Sequence, residues 1–278
     1  MLKVISTHVF LRSRLHPGLL DTLARTGTAG IEIFAAREHF DYTDPSSLRE
    51  IGDWFRANPV ELFSMHAPLY SDRDSGRGGE PSVNVVHQDK SRRIDAMDEV
   101  KRALEVAEQI PFKHLVLHLG DRGDSWSART LEDALTALEH LQTYARPLGV
   151  RLLVENIQNE VTTPAHLLEI LNVGHLDDIG VCLDVGHAHL GDGVAQAIET
   201  LSPRIRTAHL HDNKGERDEH LWPGDGTIDF AAALAGLAKA QQQPAGILEI
   251  HHGYGTDVAL VVERAKAAFA AFDGAAQH

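Results

Sequence analysis

The sequence has few of the features that mark secreted or membrane proteins. It contains a single cysteine, Cys182, which cannot form an internal disulfide, so nothing indicates an oxidising compartment. No apolar run approaches the roughly 20 residues that a membrane span requires. The first ten residues, MLKVISTHVF, lack the apolar region and cleavage site of a signal peptide. We therefore expect a cytoplasmic protein with no membrane partner.

Basic residues are scarce as well. The 278 residues include 26 Lys and Arg against 40 Asp and Glu, which gives a net charge of −14. Such a charge repels nucleic acid unless a basic patch overrides it, and no run of Lys and Arg with interleaved aromatic residues is present. We expect no nucleic-acid partner, while a homo-oligomer remains compatible with the sequence. The composition, 43% hydrophobic and 24% charged, is typical of a globular protein.

Short β-branched apolar runs alternate with longer amphipathic stretches, and each run has about the length of a buried parallel strand. The predicted strands are Val4–Ser6, Gly30–Phe34, Glu61–His66, His114–His118, Arg151–Glu155, Gly180–Asp184, Arg206–His211 and Ile247–His251. Eight strand–helix units predict one (β/α)8 TIM barrel over residues 1–273, with a disordered tail at 274–278. The alternative, a doubly wound open sheet, usually carries a Gly-rich turn after its first strand, and this sequence has none there.

Helical segments are predicted between these runs. Proline in the first turn marks helix starts after Asp44 and after Thr163. Periodicity or composition predicts further helices over Lys90–Gln109, Arg129–Leu148, Phe230–Gln241 and Asp257–Phe272. The segment Tyr70–His87 is long for a βα loop, so we expect a lid or a disordered loop.

Polar side chains end most of the predicted strands. Because the carboxyl ends of barrel strands converge on one face, these side chains should meet in one pocket. A buried carboxylate is costly alone and several together repel, so a shared cation relieves both problems. The sequence therefore predicts a metal site formed by Glu155, Asp184, His209 and Glu249. Imidazole with carboxylate favours Mn²⁺, Zn²⁺, Co²⁺ or Fe²⁺ over Mg²⁺ and Ca²⁺.

Other polar residues near these ends have two readings. Taken singly, a strand-end histidine such as His66 or His118 is more often structural than a ligand. Asp218 and His220, in a polar segment rich in turn residues, could reach back over the pocket as further ligands. Arg217 could anchor an anionic or polyhydroxylated substrate, or simply pair with Glu216 or Asp218. Glu32 and His211, also at strand ends, are predicted to contact substrate.

The order of five fragments carries a family resemblance. ENIQN, LDVGHAH, HLHDN, DEHLWPGDGTIDF and LEI follow one another in this order, each weak alone but specific as a set. With GIEIF near the start and GILEI near the end, the chain resembles the xylose isomerase-like TIM-barrel superfamily over nearly its whole length. This superfamily contains sugar isomerases, ketose 3-epimerases and endonuclease IV.

The resemblance implies a metal centre and assigns roles to its residues. The shared centre would comprise the four predicted ligands. In the endonuclease IV-like pattern, five further positions match ligands of additional zinc ions: His66, His118, His187, Asp218 and His220. One to three ions per chain are therefore possible. In the epimerase-like branch, His187 would contact substrate, and Glu155 and Glu249 would act as catalytic acid and base.

Three kinds of enzyme share these residues. We expect an isomerase or epimerase that acts on a sugar or sugar phosphate by proton transfer through a metal-stabilised ene-diolate. A multinuclear zinc phosphoesterase is the first alternative, and its substrate would be small because of the acidic charge of the chain. A keto-sugar dehydratase or lyase is the second, since it begins with the same proton abstraction. A non-catalytic metal- or ligand-binding barrel is the least favoured reading, because clustered ligands at the open end of a barrel indicate chemistry.

Overall fold

Eight parallel strands form a closed barrel, in chain order, in the computed structural model, which describes residues 1–71, 82–251 and 257–275. The strands are β1 (Lys3–Ser6), β2 (Gly30–Phe34), β3 (Glu61–His66), β4 (His114–His118), β5 (Arg151–Glu155), β6 (Gly180–Asp184), β7 (Ile205–Leu210) and β8 (Ala245–Leu248). Because β1 pairs with β8, with Val4 opposite Ile247, the sheet has no open edge. The predicted (β/α)8 barrel is confirmed, and the open doubly wound sheet is excluded.

The predicted bounds are correct for five strands, β1 begins one residue earlier than predicted, and the last two strands are shifted. β2 to β6 have the predicted bounds. β7 and β8 were predicted to reach His211 and His251, but they end at Leu210 and Leu248. His211 and Glu249 therefore lie just past the strands, where the backbone turns into the loops of the carboxyl-terminal rim.

Helices surround the barrel. Those in the described ranges are α1 (Pro17–Ala24), α2 (Pro45–Ala57), α3 (Lys90–Leu104), α4 (Ala128–Ala145), α5 (Pro164–Val173), α6 (Val185–Leu190), α7 (Val194–Leu201), α8 (Phe230–Ala238) and α9 (Val258–Ala275). The starts of α2 and α5 are confirmed, since Asp44 accepts from the Ser46 amide at 3.0 Å and Thr163 accepts from the His166 amide at 3.3 Å. The sequence analysis did not predict α1, α6 and α7.

An apolar layer inside the barrel lies below the rim. Val116, Leu153 and Cys182, from β4, β5 and β6, are fully buried and pack together. Each precedes a rim residue of its own strand by two positions, so the side chains share the inward face. The polar groups of the rim therefore lie on a buried apolar layer, whose low dielectric strengthens the electrostatic interactions above it.

Some predicted segments fall partly outside the described residues. Of the predicted lid, residues 72–81 lie outside, and its flanks meet at an antiparallel bridge between Tyr70 and Ser82. Of the predicted tail, Gly274 and Ala275 end α9, and 276–278 lie outside. Among the helices that the structure describes, none has the length and apolarity needed to cross a membrane.

Candidate metal centre

The three carboxylates predicted as ligands surround one nitrogen atom of the fourth predicted ligand, His209. His209 Nδ1 lies 3.4 Å from Glu155 Oε2, 3.8 Å from Asp184 Oδ2 and 3.3 Å from Glu249 Oε2. All four residues are at most 2% exposed. Strands β5, β6, β7 and β8 thus bring together residues that lie up to 94 positions apart in the sequence.

Glu32 fixes the orientation of the His209 ring. Its carboxylate oxygens lie 3.2 and 3.4 Å from His209 Nε2, and it also accepts a hydrogen bond from Ser64 Oγ at 2.8 Å. With Nε2–H donating to Glu32, the lone pair of Nδ1 faces the three other carboxylates. Glu32 is fully buried beside His209, and its predicted contact with substrate stays a prediction.

A second group of donors forms a nearly equilateral triangle. His66 Nε2, His118 Nε2 and Glu155 Oε2 are separated by 3.3, 3.4 and 3.4 Å. A tetrahedral zinc ion with bonds of about 2.0–2.1 Å has ligand–ligand separations of roughly 3.3–3.4 Å. His66 Nδ1 donates to the carbonyl of Ala67 at 2.8 Å, which leaves Nε2 as the free donor atom. This triangle fits one divalent ion.

A third group lies at the end of the polar loop that follows β7. Asp218 Oδ2 is 3.1 Å from His187 Nε2 and 3.0 Å from His220 Nε2. The other nitrogen of each ring donates to a backbone carbonyl, His187 Nδ1 to Asn156 at 3.0 Å and His220 Nδ1 to Glu249 at 3.0 Å. Ring orientations fixed in this way are typical of metal-binding histidines. The predicted reach of Asp218 and His220 back to the pocket is therefore seen in the structure.

His211 supports this third group from behind. Its Nε2 lies 3.0 and 2.9 Å from the two oxygens of Asp184, and its ring stacks on His220 with centroids 3.9 Å apart. Gly186 makes room for the ring, because a Cβ there would lie 2.0 Å from His211 Cε1. His211 is fully buried and is placed to position Asp184 and His220, while its predicted contact with substrate stays a prediction.

Asp212 organises the loop that carries Asp218 and His220. Its buried carboxylate accepts four backbone amides, from Asn213 at 2.9 Å, Ile228 at 3.1 Å, Gly224 at 3.0 Å and Gly226 at 2.9 Å. The sequence analysis missed this residue. The signal was present in the Gly224 and Gly226 spacing, which indicates a backbone turn that needs an acceptor.

Arg217 is exposed on the loop that follows β7. Its side chain is 79% exposed, and its guanidinium lies 3.6 Å from Glu219. The alternative pairing with Glu216 or Asp218 is not seen, because the guanidinium faces Glu219 and the Asp218 carboxylate is directed to the histidines. The contact of Arg217 with substrate stays a prediction. In the described structure Arg217 has no contact with the ligand groups.

The pKa directions reflect strong mutual attraction within the centre. Burial raises the pKa of Glu155, but His209 and His118 outweigh it and hold the pKa well below its ordinary value. Burial lowers the pKa of His220, yet Asp218 and Glu249 raise it to about 9. Protons thus occupy the lone pairs that a divalent cation would use, so metal binding should release protons.

Buried polar atoms without a hydrogen-bond partner mark the same positions. Among the described residues they include Glu155 Oε2, His209 Nδ1, His211 Nδ1 and Asp218 Oδ1. An unpaired buried polar atom is costly, and a cation would satisfy each carboxylate oxygen and the free nitrogen of His209. The donor set therefore fits one or more borderline divalent ions.

A cavity of about 200 Å³ adjoins the donors. His118, His187 and Asp218 line one side, and Arg122 and Gln158 line another. A polar cavity of this size beside the ligand groups can take a small hydroxylated molecule.

His8, which the sequence analysis gave no role, also faces the centre. Its ring lies 4.8 Å from that of His220 and 5.2 Å from that of Phe34. Its Nδ1 donates to the carbonyl of Ile250 at 3.1 Å. Burial, followed by the charge of His220, holds the pKa of His8 well below its ordinary value, so the ring is neutral.

Comparisons with known proteins agree with this architecture. The family model for the xylose isomerase-like TIM barrel matches residues 20–271. The uncharacterized protein MJ1311 of Methanocaldococcus jannaschii is 27% identical over 84% of this chain and 78% of its own length. Inosose isomerase of Bacillus velezensis is 21% identical over 78% of this chain and 77% of its own length. Probable endonuclease 4 of Natronomonas pharaonis is 26% identical over 61% of this chain and 69% of its own length.

Solved structures share the fold across the whole chain. A D-tagatose 3-epimerase-like protein superposes with a TM-score of 0.79 at 24% identity, covering 99% of both chains. The IOLI protein with a bound zinc atom gives a TM-score of 0.81 at 19% identity, again covering 99% of both chains.

Proposed function

Because the chain belongs to the xylose isomerase-like TIM barrel family, we propose that it is a divalent-metal-dependent isomerase or epimerase of a small sugar or sugar phosphate. One observation carries the proposal. Glu155 and Glu249, on β5 and at the end of β8, both direct an oxygen to His209 Nδ1, at 3.4 and 3.3 Å. Isomerisation or epimerisation removes a proton from the carbon next to a carbonyl and returns one to that carbon or its neighbour, and two carboxylates at one electrophilic centre can perform these two steps. The isomerase and epimerase names among the similar proteins support this class.

Glu155, Asp184, His209 and Glu249 would hold the ion, with Mn²⁺ or Zn²⁺ favoured and Co²⁺ or Fe²⁺ compatible. When bound, the ion would polarise the substrate carbonyl and the neighbouring hydroxyl. Glu249 and Glu155 then act as the acid–base pair, one removing the proton next to the carbonyl and the other returning it. His187, Arg122 and Gln158 line the adjoining cavity and are placed to bind substrate hydroxyls.

The proposal is tested by proton exchange on a panel of keto-sugars, with and without phosphate, in heavy water. Glu249→Gln should retain the fold and lose exchange by roughly 10²- to 10⁴-fold, since it removes the proton-transfer group. Glu139→Gln, an equal change on the exposed face of α4, is the matched control. Full exchange by Glu249→Gln, or no exchange by the metal-loaded wild-type protein on any sugar, would contradict the assignment. Product analysis separates isomerisation from dehydration or lyase chemistry.

Phosphoester hydrolysis is a second candidate, favoured by a different observation. Glu155 Oε2 lies 3.4 Å from a nitrogen of each of His66, His118 and His209, so one carboxylate could serve two ions. Clustered ions can clamp a phosphate and generate hydroxide. The relative named probable endonuclease 4 supports this class. The net charge of −14 favours a small phosphorylated substrate over DNA.

Metal counting separates the two candidates. If the site is multinuclear, the double variant Asp218→Ala, His220→Ala should contain about one ion fewer per chain than the wild-type protein, by elemental analysis. Asp225→Asn, an exposed change in the same loop, is the control. A wild-type stoichiometry above one that this double variant leaves unchanged would refute a ligand role for Asp218 and His220.

A further inference from the structure

The side chain of Asn156 binds the main chain of Asp184 through both of its polar atoms. Asn156 follows β5 directly, and Asp184 is the last residue of β6. Asn156 Oδ1 accepts a hydrogen bond from the Asp184 amide at 2.7 Å, and Asn156 Nδ2 donates to the Asp184 carbonyl at 2.9 Å. Asn156 is 3% exposed and Asp184 is fully buried, so little water competes for these bonds. One side-chain amide therefore fixes the backbone of a predicted metal ligand.

These two bonds continue a strand pairing that stops just before them. The β5–β6 ladder ends with Glu155 opposite Cys182, two residues before Asp184. A side-chain amide carries the same kinds of donor and acceptor as a peptide group. Asn156 therefore extends the contact between the two strands to Asp184, whose carboxylate lies 3.8 Å from His209 Nδ1.

The main chain of Asn156 holds a second candidate ligand. Its carbonyl accepts a hydrogen bond from His187 Nδ1 at 3.0 Å, which leaves His187 Nε2 to face Asp218 at 3.1 Å. The backbone amide of His187 in turn donates to Asp184 Oδ1 at 2.6 Å. His187 is thus held at its ring by Asn156 and at its backbone by the residue that Asn156 fixes.

These contacts join two of the three donor groups. Asp184 belongs to the group around His209, and His187 belongs to the group around Asp218. Buried hydrogen-bond partners of this kind orient metal ligands, and loss of such a partner lowers metal affinity by roughly 10- to 100-fold. Loss of the Asn156 amide would therefore disturb one ligand in each group.

We propose that Asn156 is a positioning residue that couples the two donor groups, by orienting Asp184 and His187 for metal. Both polar atoms of its side chain are engaged by Asp184, so it acts through the ligands. The inference rests on the metal dependence proposed above, but it does not depend on which reaction the centre catalyses.

Titration with Co²⁺, followed by the visible absorption of the bound ion, tests the proposal, because this absorption reports the arrangement of the ligands. In Asn156→Ala we expect Co²⁺ binding to weaken by about 10- to 100-fold. The spectrum of the saturated variant should also differ from that of the wild-type protein. In the metal-free variant the Asp184 amide has lost its acceptor, so its hydrogen exchange should be faster.

Asn159→Ala is the matched control in the same loop. The Asn159 side chain donates to the carbonyls of Leu119 and Asp121 at 3.0 and 3.2 Å and accepts from the Thr162 amide at 2.8 Å. None of these partners is a candidate ligand, so the variant should lose stability but retain the wild-type Co²⁺ affinity and spectrum. Asn156→Asp keeps the side-chain volume and the acceptor, so it serves if Asn156→Ala does not fold, and its saturated spectrum should also be altered.

The double variant Asp218→Ala, His220→Ala shows whether both groups are affected. In that background Asn156→Ala should still weaken the ion that remains in the group around His209. Wild-type affinity and spectrum in Asn156→Ala would overturn the proposal, as would an equal loss of affinity in Asn159→Ala, which would indicate general loosening of the loop. Absence of Co²⁺ binding by the wild-type protein would instead refute the proposed metal dependence, and this inference with it.

Discussion

Replacing Asp212 by asparagine should release the loop that carries part of the candidate metal centre. The Asp212 carboxylate accepts four backbone amides, two on each oxygen. Asparagine keeps one oxygen and turns the other into an amide nitrogen that faces two N–H groups. The change hardly alters the side-chain volume, so its effect reports on the loss of the negative charge and of these hydrogen bonds.

The magnitude follows from the number of donors that lose their acceptor. Each buried donor left unsatisfied costs roughly 1–3 kcal/mol. The two amides on Oδ2, from Gly224 and Gly226, lie where the loop is partly exposed, so water recovers part of this cost. We therefore expect the loop to be destabilised by about 2–4 kcal/mol, which corresponds to roughly a 30- to 1,000-fold increase in local opening.

Hydrogen exchange of the loop amides measures this opening directly. In Asp212→Asn the amides of Gly224, Gly226 and Ile228 should exchange faster by that factor, and metal held by Asp218 and His220 should be lost first. Asp225→Asn is the control, since Asp225 makes only an exposed ion pair with Arg264 at 2.7 Å, worth at most about 1 kcal/mol. Wild-type protection in Asp212→Asn would refute the reasoning that Asp212 holds the loop.

Two further predictions concern packing and pH. Gly186→Ala should displace His211 from Asp184, because the new Cβ would lie 2.0 Å from His211 Cε1. We expect the variant to lose about 1–3 kcal/mol of stability and to contain less metal. Gly274→Ala, whose new Cβ meets no atom within 4 Å, is the control and should change neither quantity. Burial lowers the pKa of His39 to about 4, so protonation of His39 favours the unfolded state. The contribution of His39 to stability is therefore present above pH 6.5 and is lost as the pH falls toward 4. Urea denaturation should show that His39→Asn removes about 2 kcal/mol of the stability that the wild-type protein loses between pH 7 and pH 5; equal pH dependence in the two proteins would show that His39 is not the group responsible.

Most strands of the barrel could be predicted because each strand is one short, continuous run of the sequence. In β3 to β6 a run of mostly apolar residues ends at a polar residue, and burial on both faces keeps the run apolar up to that point. The short helix α6 was missed because Gly186 lowers its helix propensity and Asp184 also serves the strand. Its signal was the spacing of Asp184 and His187, since the Asp184 carboxylate accepts the His187 amide at 2.6 Å and caps the helix.

The donor groups at the rim could be predicted for a similar reason. A closed barrel brings all strand ends to one face, so Glu155, Asp184 and His209 meet whatever the loops do. The roles of Glu32 and His211 could not be predicted, because side chains at equivalent strand-end positions can face the cavity or lie behind a ligand. The direction of such a side chain depends on loop geometry and on the space left by residues such as Gly186. Neither can be read from the periodicity of the sequence.

The two mouths of the barrel carry charges of opposite sign. At the carboxyl-terminal mouth, carboxylates outnumber the cations described there, and histidines with free nitrogens supply further donors, which favours divalent metal. At the amino-terminal mouth the sign is reversed, with Arg151 and Arg206 left without carboxylate partners among the described residues. Val116, Leu153 and Cys182 form a buried apolar layer between the two mouths. A divalent cation at the carboxyl-terminal mouth would therefore reduce the repulsion among its carboxylates, and its binding should stabilise the fold.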